Sequence, residues 1–290
     1  RVTIRGVAPD VADRHRGVHG PSSSDEYLFY QLLAALWHDS DPEALPDRLS
    51  RYMEKATRES KRRSSWINPS PDYEEDLDSF VREMIADPET AEIIEPLAGH
   101  LRRYGFYNSL SQLILKCTTP GVPDFYQGCE LQDLSLVDPD NRRPVDYDRR
   151  RELLDDLQPL LDNPTADPVQ QMVDREQRDR MKLYVTARVL DLRRTYPDLL
   201  DGEYTPLTTD ESEASDWTIG YARTDGDRAL LCLVPRPPHD WPPADDLRLS
   251  LPDSLRNRHW PEWLTGASIE IVDSLNPLSL PVRWGILPSV

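Results

Sequence analysis

The sequence predicts a mixed α/β protein that ends in an all-β part. Up to about residue 195, apolar residues recur with the helical period, whereas beyond about residue 200 they alternate as in half-buried strands. One apolar segment at 119–130, bounded by proline and glycine, interrupts the helical pattern and is short enough for a buried strand. We therefore expect a domain boundary near residue 200, with an antiparallel β-domain behind it.

The helices are predicted from capping signals and from apolar faces. Residues 23–26 match a capping box and begin an apolar helix over 27–37, and Ser70 with Pro71 predicts another helix start. A longer helix at roughly 170–195 stops at Tyr196-Pro197, and the polar segment 162–178 is expected to be a mobile loop. Other helices are predicted from these apolar sets: Leu49, Tyr52, Met53 and Ala56; Tyr73, Leu77, Phe80 and Met84; Ile93, Ile94, Leu97 and Leu101; Leu110, Leu113 and Ile114; Leu153, Leu154, Leu157 and Leu161.

The strands are predicted from period-2 alternation. The continuous apolar run 229–234 fits a central strand, and prolines crowd the connection at 235–243. The segment 122–126 is predicted to be a strand that carries polar groups to a pocket at its carboxyl end. Alternating apolar residues mark three further strands: Trp217, Ile219 and Tyr221; Leu247, Leu249 and Leu251; Val282, Trp284 and Ile286.

The composition disfavours an anionic partner. The 290 residues are enough for one large domain or two ordinary ones, and they carry a net charge of −18. This charge repels polyanions, so we expect neither nucleic acid nor membrane as a partner. No run of about 18 apolar residues and no charged-then-apolar leader is present in the sequence. Only four of the 34 basic residues are lysines, which with the many carboxylates suggests adaptation to high salt.

Cysteine and histidine give no sign of a metal site. The three cysteines are odd in number and lack metal-type spacing, which predicts a reduced, cytoplasmic setting. The six histidines show neither metal spacing nor a partner serine, so we expect no cofactor and no metal. The chain begins with Arg1 rather than Met, and we expect it to be a downstream piece of a longer protein.

Two neighbouring segments supply the candidate binding residues. Seven carboxylates lie between 120 and 148, but 52 acids in 290 residues give about five there by chance, so acid density decides nothing. Order is more informative: Tyr126, Gln127 and Glu130 follow the predicted strand, where Gly128 permits a sharp turn. The loop that begins at residue 138 could hold a hydroxyl-rich ligand through Asp138, Asn141 and Arg142. Alternatively, it is a rigid loop whose arginines pair with its own aspartates.

A rare basic spot at 61–66 is a further candidate. Lys61 would supply positive charge and Trp66 a flat face on which a sugar can stack. The alternative is a helix C-terminus with favourable cations, which is common.

Residues 104–147 resemble the last barrel strand and its flanks in maltooligosyltrehalose synthases, a family of the α-amylase superfamily. The resemblance rests on three nearly continuous segments, 108–116, 120–128 (Pro-Gly-Val-Pro-Asp-Phe-Tyr-Gln-Gly) and 134–147 (Leu-Ser-Leu-Val-Asp-Pro-Asp-Asn-Arg-Arg-Pro-Val-Asp-Tyr). Residues 25–28, 61–66 with Pro69 and Tyr73, and 202–207 extend it over about two-thirds of the chain.

The resemblance implies a fold and an activity. The fold would be the C-terminal part of a (β/α)₈ barrel with a helical insertion at 1–100, the last strand and its helices at 101–198, and a β-sandwich at 199–290. The activity would convert the reducing-end α-1,4 linkage of a maltodextrin into an α,α-1,1 linkage. The family's chemistry is retaining, so its nucleophilic aspartate and acid/base glutamate lie about 5 Å apart. Water must be excluded, because hydrolysis competes.

The sequence departs from the family pattern in two respects. The motifs of the nucleophile, the acid/base and the third aspartate are not found, so we expect no catalytic residue here and no activity without a missing upstream barrel portion. This chain would then hold the reducing-end side of the maltooligosaccharide pocket. In addition, Cys129 and Gln132 stand where a threonine-like residue and a tryptophan are expected.

Two alternatives to this interpretation differ in class. One is a non-catalytic glucan-binding or complementing subunit of a split α-amylase-type enzyme. The other is a different amylase-type transglycosidase, which the long match at 134–147 disfavours.

Overall fold

The computed structural model describes residues 9–38, 41–208, 217–236, 248–282 and 284–289. The chain divides into two compact units. The first comprises residues 1–103 and 134–144, and the second comprises 104–133 and 145–290. The division into three parts at residues 100 and 198 stays a prediction. In the described ranges, no helix is long and apolar enough to cross a membrane.

The first unit is helical. Its large apolar side chains form one core, in which Phe29, Leu33, Leu49, Met53 and Phe80 are fully buried. The unit contains α1 (Pro9–His15), α2 (Ser23–Leu36), α3 (Leu45–Ser60), α4 (Pro71–Ala86) and the first part of α5 (Pro88–Thr118). The predicted inner face of α4 is confirmed, because Tyr73, Leu77, Phe80 and Met84 are all buried.

The structure corrects the predicted start of α2 by one residue and confirms the predicted start of α4. The N-cap of α2 is Ser22 rather than Ser23, and the Ser22 hydroxyl accepts a bond from the Asp25 amide at 3.4 Å. Pro71 is the first-turn proline of α4, as predicted, but the Ser70 side chain makes no capping bond. Such one-residue shifts are expected, because neighbouring serines are equally good caps.

The two helical patterns predicted between residues 93 and 114 form one helix. Helix α5 runs without a break for 31 residues and contains Pro96. Gly105, which lies between the two patterns, has nothing within 4 Å of the position that a Cβ would take. A glycine inside a helix costs only about 1 kcal/mol, so it does not end the helix by itself.

The second unit combines helices with antiparallel strands. Its helices are the rest of α5, α6 (Tyr147–Asp162), α7 (Ala166–Asp174), α8 (Arg178–Thr195) and α9 (Pro197–Leu200). Its strands are β1 (Glu203–Leu207), β2 (Thr218–Asp225), β3 (Arg228–Pro235), β4 (Leu249–Ser250), β5 (Arg258–Pro261), β6 (Ser268–Ile271), β7 (Ser274–Leu275) and β8 (Gly285–Ser289). The main sheet has the order β1-β2-β3-β8, and β4–β7 and β5–β6 form two-stranded pairs, all antiparallel.

The main sheet separates two apolar cores. Leu230, Cys232 and Val234 of β3 join the core that contains α5 and α8, whereas Leu231 and Leu233 join the core of β4, β5 and β7. Successive side chains of a strand point to opposite faces, so β3 is buried on both sides. The prediction of a central strand at 229–234 is therefore confirmed. Antiparallel strands begin near residue 200 as predicted, since β1 begins at Glu203, whereas the predicted domain boundary near residue 200 stays a prediction.

The predicted strand at 122–126 is not formed among the described residues of this chain. These residues form no strand, and a turn follows at 127–130. A strand needs a hydrogen-bonded neighbour, and no sheet of the described residues includes this segment. Its first residue, Val122, is 96% exposed, so apolar composition alone was misleading.

Of two further predictions in the second unit, the structure tests one. The segment 162–178, expected to be a mobile loop, contains α7, whose Val169 and Met172 are buried. These two apolar residues lie three apart, which the polar surroundings concealed. Leu247 and most of the proline-rich connection at 235–243 lie outside the described residues.

Candidate functional site

The predicted binding residues divide between the two units. Lys61, Trp66, Asp138, Asn141 and Arg142 belong to the first unit, and Tyr126, Gln127 and Glu130 belong to the second.

In the first unit, the loop 134–144 is held by a buried ion pair. The Arg48 guanidinium of α3 donates to both carboxylate oxygens of Asp140, at 3.0 and 2.9 Å, and to the Leu134 carbonyl at 3.0 Å. The Leu136 amide donates to the same carboxylate at 2.7 Å. Burial opposes ionisation of Asp140, but the bonds from Arg48 and Leu136 hold its pKa below the ordinary value. The carboxylate is therefore the anchor of the loop.

The predicted binding residues of this loop surround that anchor. Asp138 and Arg142 form an ion pair with each other, and both side chains are at least half exposed. The Lys55 ammonium donates to the Asp138 carbonyl. Arg143 also faces Asp140, at 3.4 Å. These contacts match the alternative interpretation, in which the arginines of the loop pair with its own aspartates. Exposed pairs of this kind contribute little to stability.

Asn141 is less available than the sequence suggests. The turn Asp140–Arg142 is a short 3₁₀ helix. The Asn141 Oδ1 atom is buried and has no hydrogen-bond partner among the described residues. Burial of this oxygen makes the Asn141 amide less accessible to a ligand than its position in the sequence suggests.

The basic loop after α3 displays an exposed tryptophan. Lys61 ends α3 in the left-handed region, with φ of 56°. The Trp66 side chain is 59% exposed, and the Arg58 guanidinium lies over its ring at 4.9 Å from the centroid. One face of the indole therefore contacts a cation, which is a favourable arrangement.

The Glu74 carboxylate fixes this loop through hydrogen bonds. Arg58 donates to both Glu74 oxygens, at 2.8 and 2.7 Å, and the Ser64 hydroxyl donates at 2.5 Å. These bonds from Arg58 lower the pKa of Glu74. The Ser64 oxygen in turn accepts from the Ser70 amide at 3.0 Å. The loop 61–70 is thus fixed through side chains of α3 and α4.

In the second unit, the turn at 127–130 is fixed by Arg150. This guanidinium donates to the Gly128 carbonyl at 2.6 Å and to Glu130 at 3.1 Å. Gly128 has φ of +89°, which favours glycine. Tyr126 and Gln127 are exposed next to the turn. The structure therefore places Glu130 in an ion pair, and it leaves the other two predicted residues open to solvent.

The segment before this turn is held through its carbonyls. Arg193 of α8 donates to the carbonyls of Cys117 at 2.6 Å, Thr119 at 3.0 Å and Gly121. Lys116 donates to the Asp124 carbonyl at 2.8 Å, and its ammonium lies 3.9 Å from the Phe125 ring centroid. Cationic side chains thus hold this segment, which belongs to no sheet of the described residues.

A buried amide and a buried lysine follow the turn. Gln132, which stands where a tryptophan was expected, has its Nε2 buried without a partner in the described ranges. Lys182 donates to the Leu131 carbonyl at 2.8 Å, and burial lowers its pKa. Burial likewise raises the pKa of the Cys129 thiol. No group of acids, histidines and cysteines in the described part of the chain has metal-binding geometry.

The sequence analysis missed the cations that hold these segments. Arg48, Arg58, Arg150 and Arg193 all lie on helices, where their charge looked like a solvated face. The sequence contained a signal for two of these cations. Arg48 and Arg58 belong to a helix for which a buried apolar face was predicted. Their partners lie elsewhere in the sequence, and Asp140 is 92 residues from Arg48.

Comparisons with known proteins place the chain among amylase-type proteins. More narrowly, it is a homologue of a segment of maltooligosyl trehalose synthases. A Mycobacterium tuberculosis protein with that name is 36% identical over 253 residues, which are 85% of this chain. The resemblance stated from the sequence is therefore confirmed. No family model matches the chain.

Solved structures agree with the sequence comparison. A crystal structure of maltooligosyl trehalose synthase has a TM-score of 0.73 and 26% identity, over 96% of this chain and 35% of its own length. The synthase from Arthrobacter ramosus has a TM-score of 0.72 and 31% identity, over 90% of this chain and 32% of its own length. The chain spans 29% of the length of the curated relatives that it matches.

Proposed function

We propose that this chain is the C-terminal portion of a maltooligosyltrehalose synthase. The activity would convert the reducing-end α-1,4 linkage of a maltooligosaccharide into an α,α-1,1 linkage. The observation that carries the proposal is 36% identity to a protein of that name over 85% of this chain. The exposed cations and the open tryptophan of the first unit supply chemistry that suits a neutral, hydroxyl-rich ligand.

The chain would contribute the reducing-end side of the pocket. In the first unit, Trp66 offers a stacking face, and Lys61 and Arg142 offer donors to sugar hydroxyls. Asp138 and Asn141 would complete that group. In the second unit, Tyr126, Gln127 and Glu130 beside Gly128 form a separate group of candidate sugar contacts. The exposure of Trp66 and Tyr126 supports this assignment, since neither ring is used up in a core.

The finer architecture is part of the proposal. The segment 122–126 would form the last strand of a (β/α)₈ barrel in the complete enzyme, where an upstream portion would supply its hydrogen-bonded neighbours. The sheet β1-β2-β3-β8 with its smaller pairs would form the β-sandwich of residues 199–290. We also propose a cytoplasmic enzyme adapted to high salt, on the basis of its cysteine usage and its charge of −18.

The reacting carboxylates would come from the upstream portion. Retaining transfer needs a nucleophile and an acid/base about 5 Å apart. The acids around the loop 134–144 do not qualify: Asp140 is committed to Arg48, and Asp138 is paired with Arg142. Residues of this chain would bind and orient the freed glucose, and they would help to exclude the water that favours hydrolysis.

The test is a product assay with maltopentaose. The purified chain alone should yield no non-reducing glucan, whereas the chain together with the upstream barrel portion (the complete enzyme) should yield it. Loss of reducing ends, followed colorimetrically, and chromatography of the product provide two independent readouts. Absence of product from the complete enzyme would contradict the proposal.

A non-catalytic glucan-binding or complementing subunit is the second candidate. It is favoured by the pairing of Asp138 with Arg142 and of Asp140 with Arg48, which leaves neither acid of the loop 134–144 available as a catalyst. The same assay separates the two functions, because a complementing subunit restores activity when the upstream portion is added as a separate chain. A purely glucan-binding protein would bind maltopentaose in calorimetry and restore nothing.

A further inference from the structure

We propose that Arg48 and Lys55 of α3 are positioning residues, which hold the loop 134–144 so that its exposed side chains meet the glucan. The inference rests on the proposed function, because it assigns a task to that same loop. Neither cation belongs to the predicted binding set. Both act through contacts with the loop backbone or with Asp140.

The Arg48–Asp140 pair is built as an anchor. The two side chains are only 7% and 12% exposed, unlike the Asp138–Arg142 pair at 50% and 69%. Both Asp140 oxygens accept from one guanidinium, which fixes orientation as well as distance. A sugar could reach the Asp140 carboxylate only if the Arg48–Asp140 ion pair were broken. Asp140 therefore fixes the loop, and its neighbours would make the contacts with the sugar.

The anchor organises the loop backbone on both sides of Asp140. Before it, the Leu134 carbonyl accepts from Arg48, and the Leu136 amide donates to the Asp140 carboxylate. After it, the Arg143 side chain donates to the Asp140 carbonyl at 3.1 Å. Hydrogen bonds therefore fix the loop backbone on both sides of Asp138 and next to Arg142.

Lys55 provides a second point of attachment on the same face of the helix. It lies seven residues after Arg48, and seven residues bring a helix back to nearly the same angle. Its ammonium donates to the Asp138 carbonyl, and its side chain is 21% exposed. Two cations two turns apart therefore hold one loop against α3.

A fixed loop matters because ordering a loop during binding costs conformational entropy. The exposed ion pair of Asp138 and Arg142 would otherwise need to be placed by the substrate itself. With the backbone held by Arg48 and Lys55, the guanidinium of Arg142 is already presented to solvent. The anchor should therefore act on KM more than on kcat.

The experiment compares Arg48→Met with Arg51→Met. Arg51 lies on the same helix but is exposed, so its replacement removes the same charge without touching the loop. In the 290-residue chain, Arg48→Met should speed amide exchange across 134–144, including the Leu136 amide, by at least about tenfold. In the complete enzyme it should raise KM for maltopentaose roughly tenfold, with a smaller change in kcat. Arg51→Met should change neither quantity.

A double variant separates positioning from folding. Arg48→Met alone removes the main partner of the buried Asp140 carboxylate and leaves it facing the more distant Arg143, at 3.4 Å, which destabilises the protein. Arg48→Met with Asp140→Asn removes both charges and should recover stability. The inference predicts that KM stays raised in this double variant, because the backbone bonds of Arg48 are still absent.

Each outcome has one meaning. Unchanged amide exchange in Arg48→Met, or a KM that returns to the parent value with stability in the double variant, overturns the positioning role and leaves the proposed function intact. A complete parent enzyme without activity overturns the proposed function, and with it the task assigned to the loop. A raised KM with faster exchange, confined to the Arg48 variants, supports the inference.

Discussion

At the residue scale, single guanidinium groups fix segments that have no regular structure of their own. Arg48, Arg150 and Arg193 each bond to backbone carbonyls of an irregular segment. An arginine presents five donors in a rigid plane, so one side chain can satisfy several carbonyls at once. The preference for arginine over lysine in this chain therefore also helps to fix its irregular segments.

Replacing Arg193 should loosen the segment that follows α5. Arg193→Met removes bonds to three carbonyls, and a hydrogen bond to a charged group contributes roughly 1.5–3 kcal/mol. We expect the free energy of unfolding to fall by about 2–3 kcal/mol in urea titration. The control is Arg194→Met, an exposed neighbour that pairs only with Asp191 among the described residues and should cost under about 0.5 kcal/mol. Equal effects of the two variants would refute the assignment.

Replacing Gly128 should strain the turn that carries Glu130. Gly128→Ala places a Cβ 3.3 Å from Val145 Cγ2 at a φ of +89°. We expect a loss of about 1–3 kcal/mol in stability, measured by thermal unfolding. Gly105→Ala is the matched control, since that glycine is helical and has open space around it. The control should be neutral or stabilising by up to about 1 kcal/mol.

Replacing Arg142 tests recognition directly. In the complete enzyme, Arg142→Ala should weaken turnover of maltopentaose well before it affects folding, because this side chain is 69% exposed and its ion pair adds little stability. We expect kcat/KM to fall roughly tenfold, which corresponds to about 1.4 kcal/mol. Arg151→Ala, an exposed arginine of α6, provides the control. Unchanged kinetics would remove Arg142 from the site.

At the element scale, the attachment of α1 to α4 should depend on pH. The two ring nitrogens of His15 in α1 face carboxylates, Glu83 at 3.0 Å and Asp87 at 2.8 Å. The bond to Asp87 raises the pKa of His15, and the bond to His15 lowers the pKa of Asp87 to about 2. The stabilising contribution of His15 is complete below its ordinary pKa near 6.5 and is lost as pH rises through the raised value. That of Asp87 is lost as pH falls from about 4 toward 2.

His15→Gln should therefore flatten one limb of the stability curve. Thermal unfolding of the parent should show a Tm that declines as pH rises above about 6.5, whereas the variant should lose this decline. The acid limb should remain in both proteins, because other carboxylates of the first unit also have lowered pKa values. A decline of equal slope in parent and variant would exclude His15 as its cause.

The elements with strong apolar periodicity were predictable, and the irregular segments were not. The face of α4 and the central strand β3 follow from residue types alone, because burial of apolar area dominates their placement. The segment 122–126 looked equally apolar, yet a strand also needs a partner, which a local pattern cannot show. The capping error at α2 is of one residue, within the usual uncertainty of helix ends.

The candidate site was predictable only for its exposed residues. Trp66 and Arg142 stood out as an aromatic beside basic residues and as an arginine in an acidic loop. Arg48 did not, because its partner Asp140 is distant in sequence. Pairings of that kind depend on the packing of α3 against the loop, and packing is not encoded in local spacing.

At the scale of the whole molecule, the chain matches about a third of the length of maltooligosyl trehalose synthases. The chain carries a net charge of −18, and Lys61, Trp66 and Arg142 are exposed. A neutral glucan is indifferent to the net charge, whereas an anionic ligand would be repelled by it. The net charge is therefore compatible with the neutral glucan that we propose as the ligand.

The most direct measurement is a crystal structure of the complete enzyme with bound maltopentaose. The account predicts that the reducing-end glucose lies within hydrogen-bond distance of Arg142, with a sugar ring against Trp66 or Tyr126. It also predicts that the Arg48–Asp140 pair remains closed. A glucan bound elsewhere, with no contact to residues 61–66, 126–130 or 138–142, would contradict the assignment of this chain to the reducing-end side of the pocket.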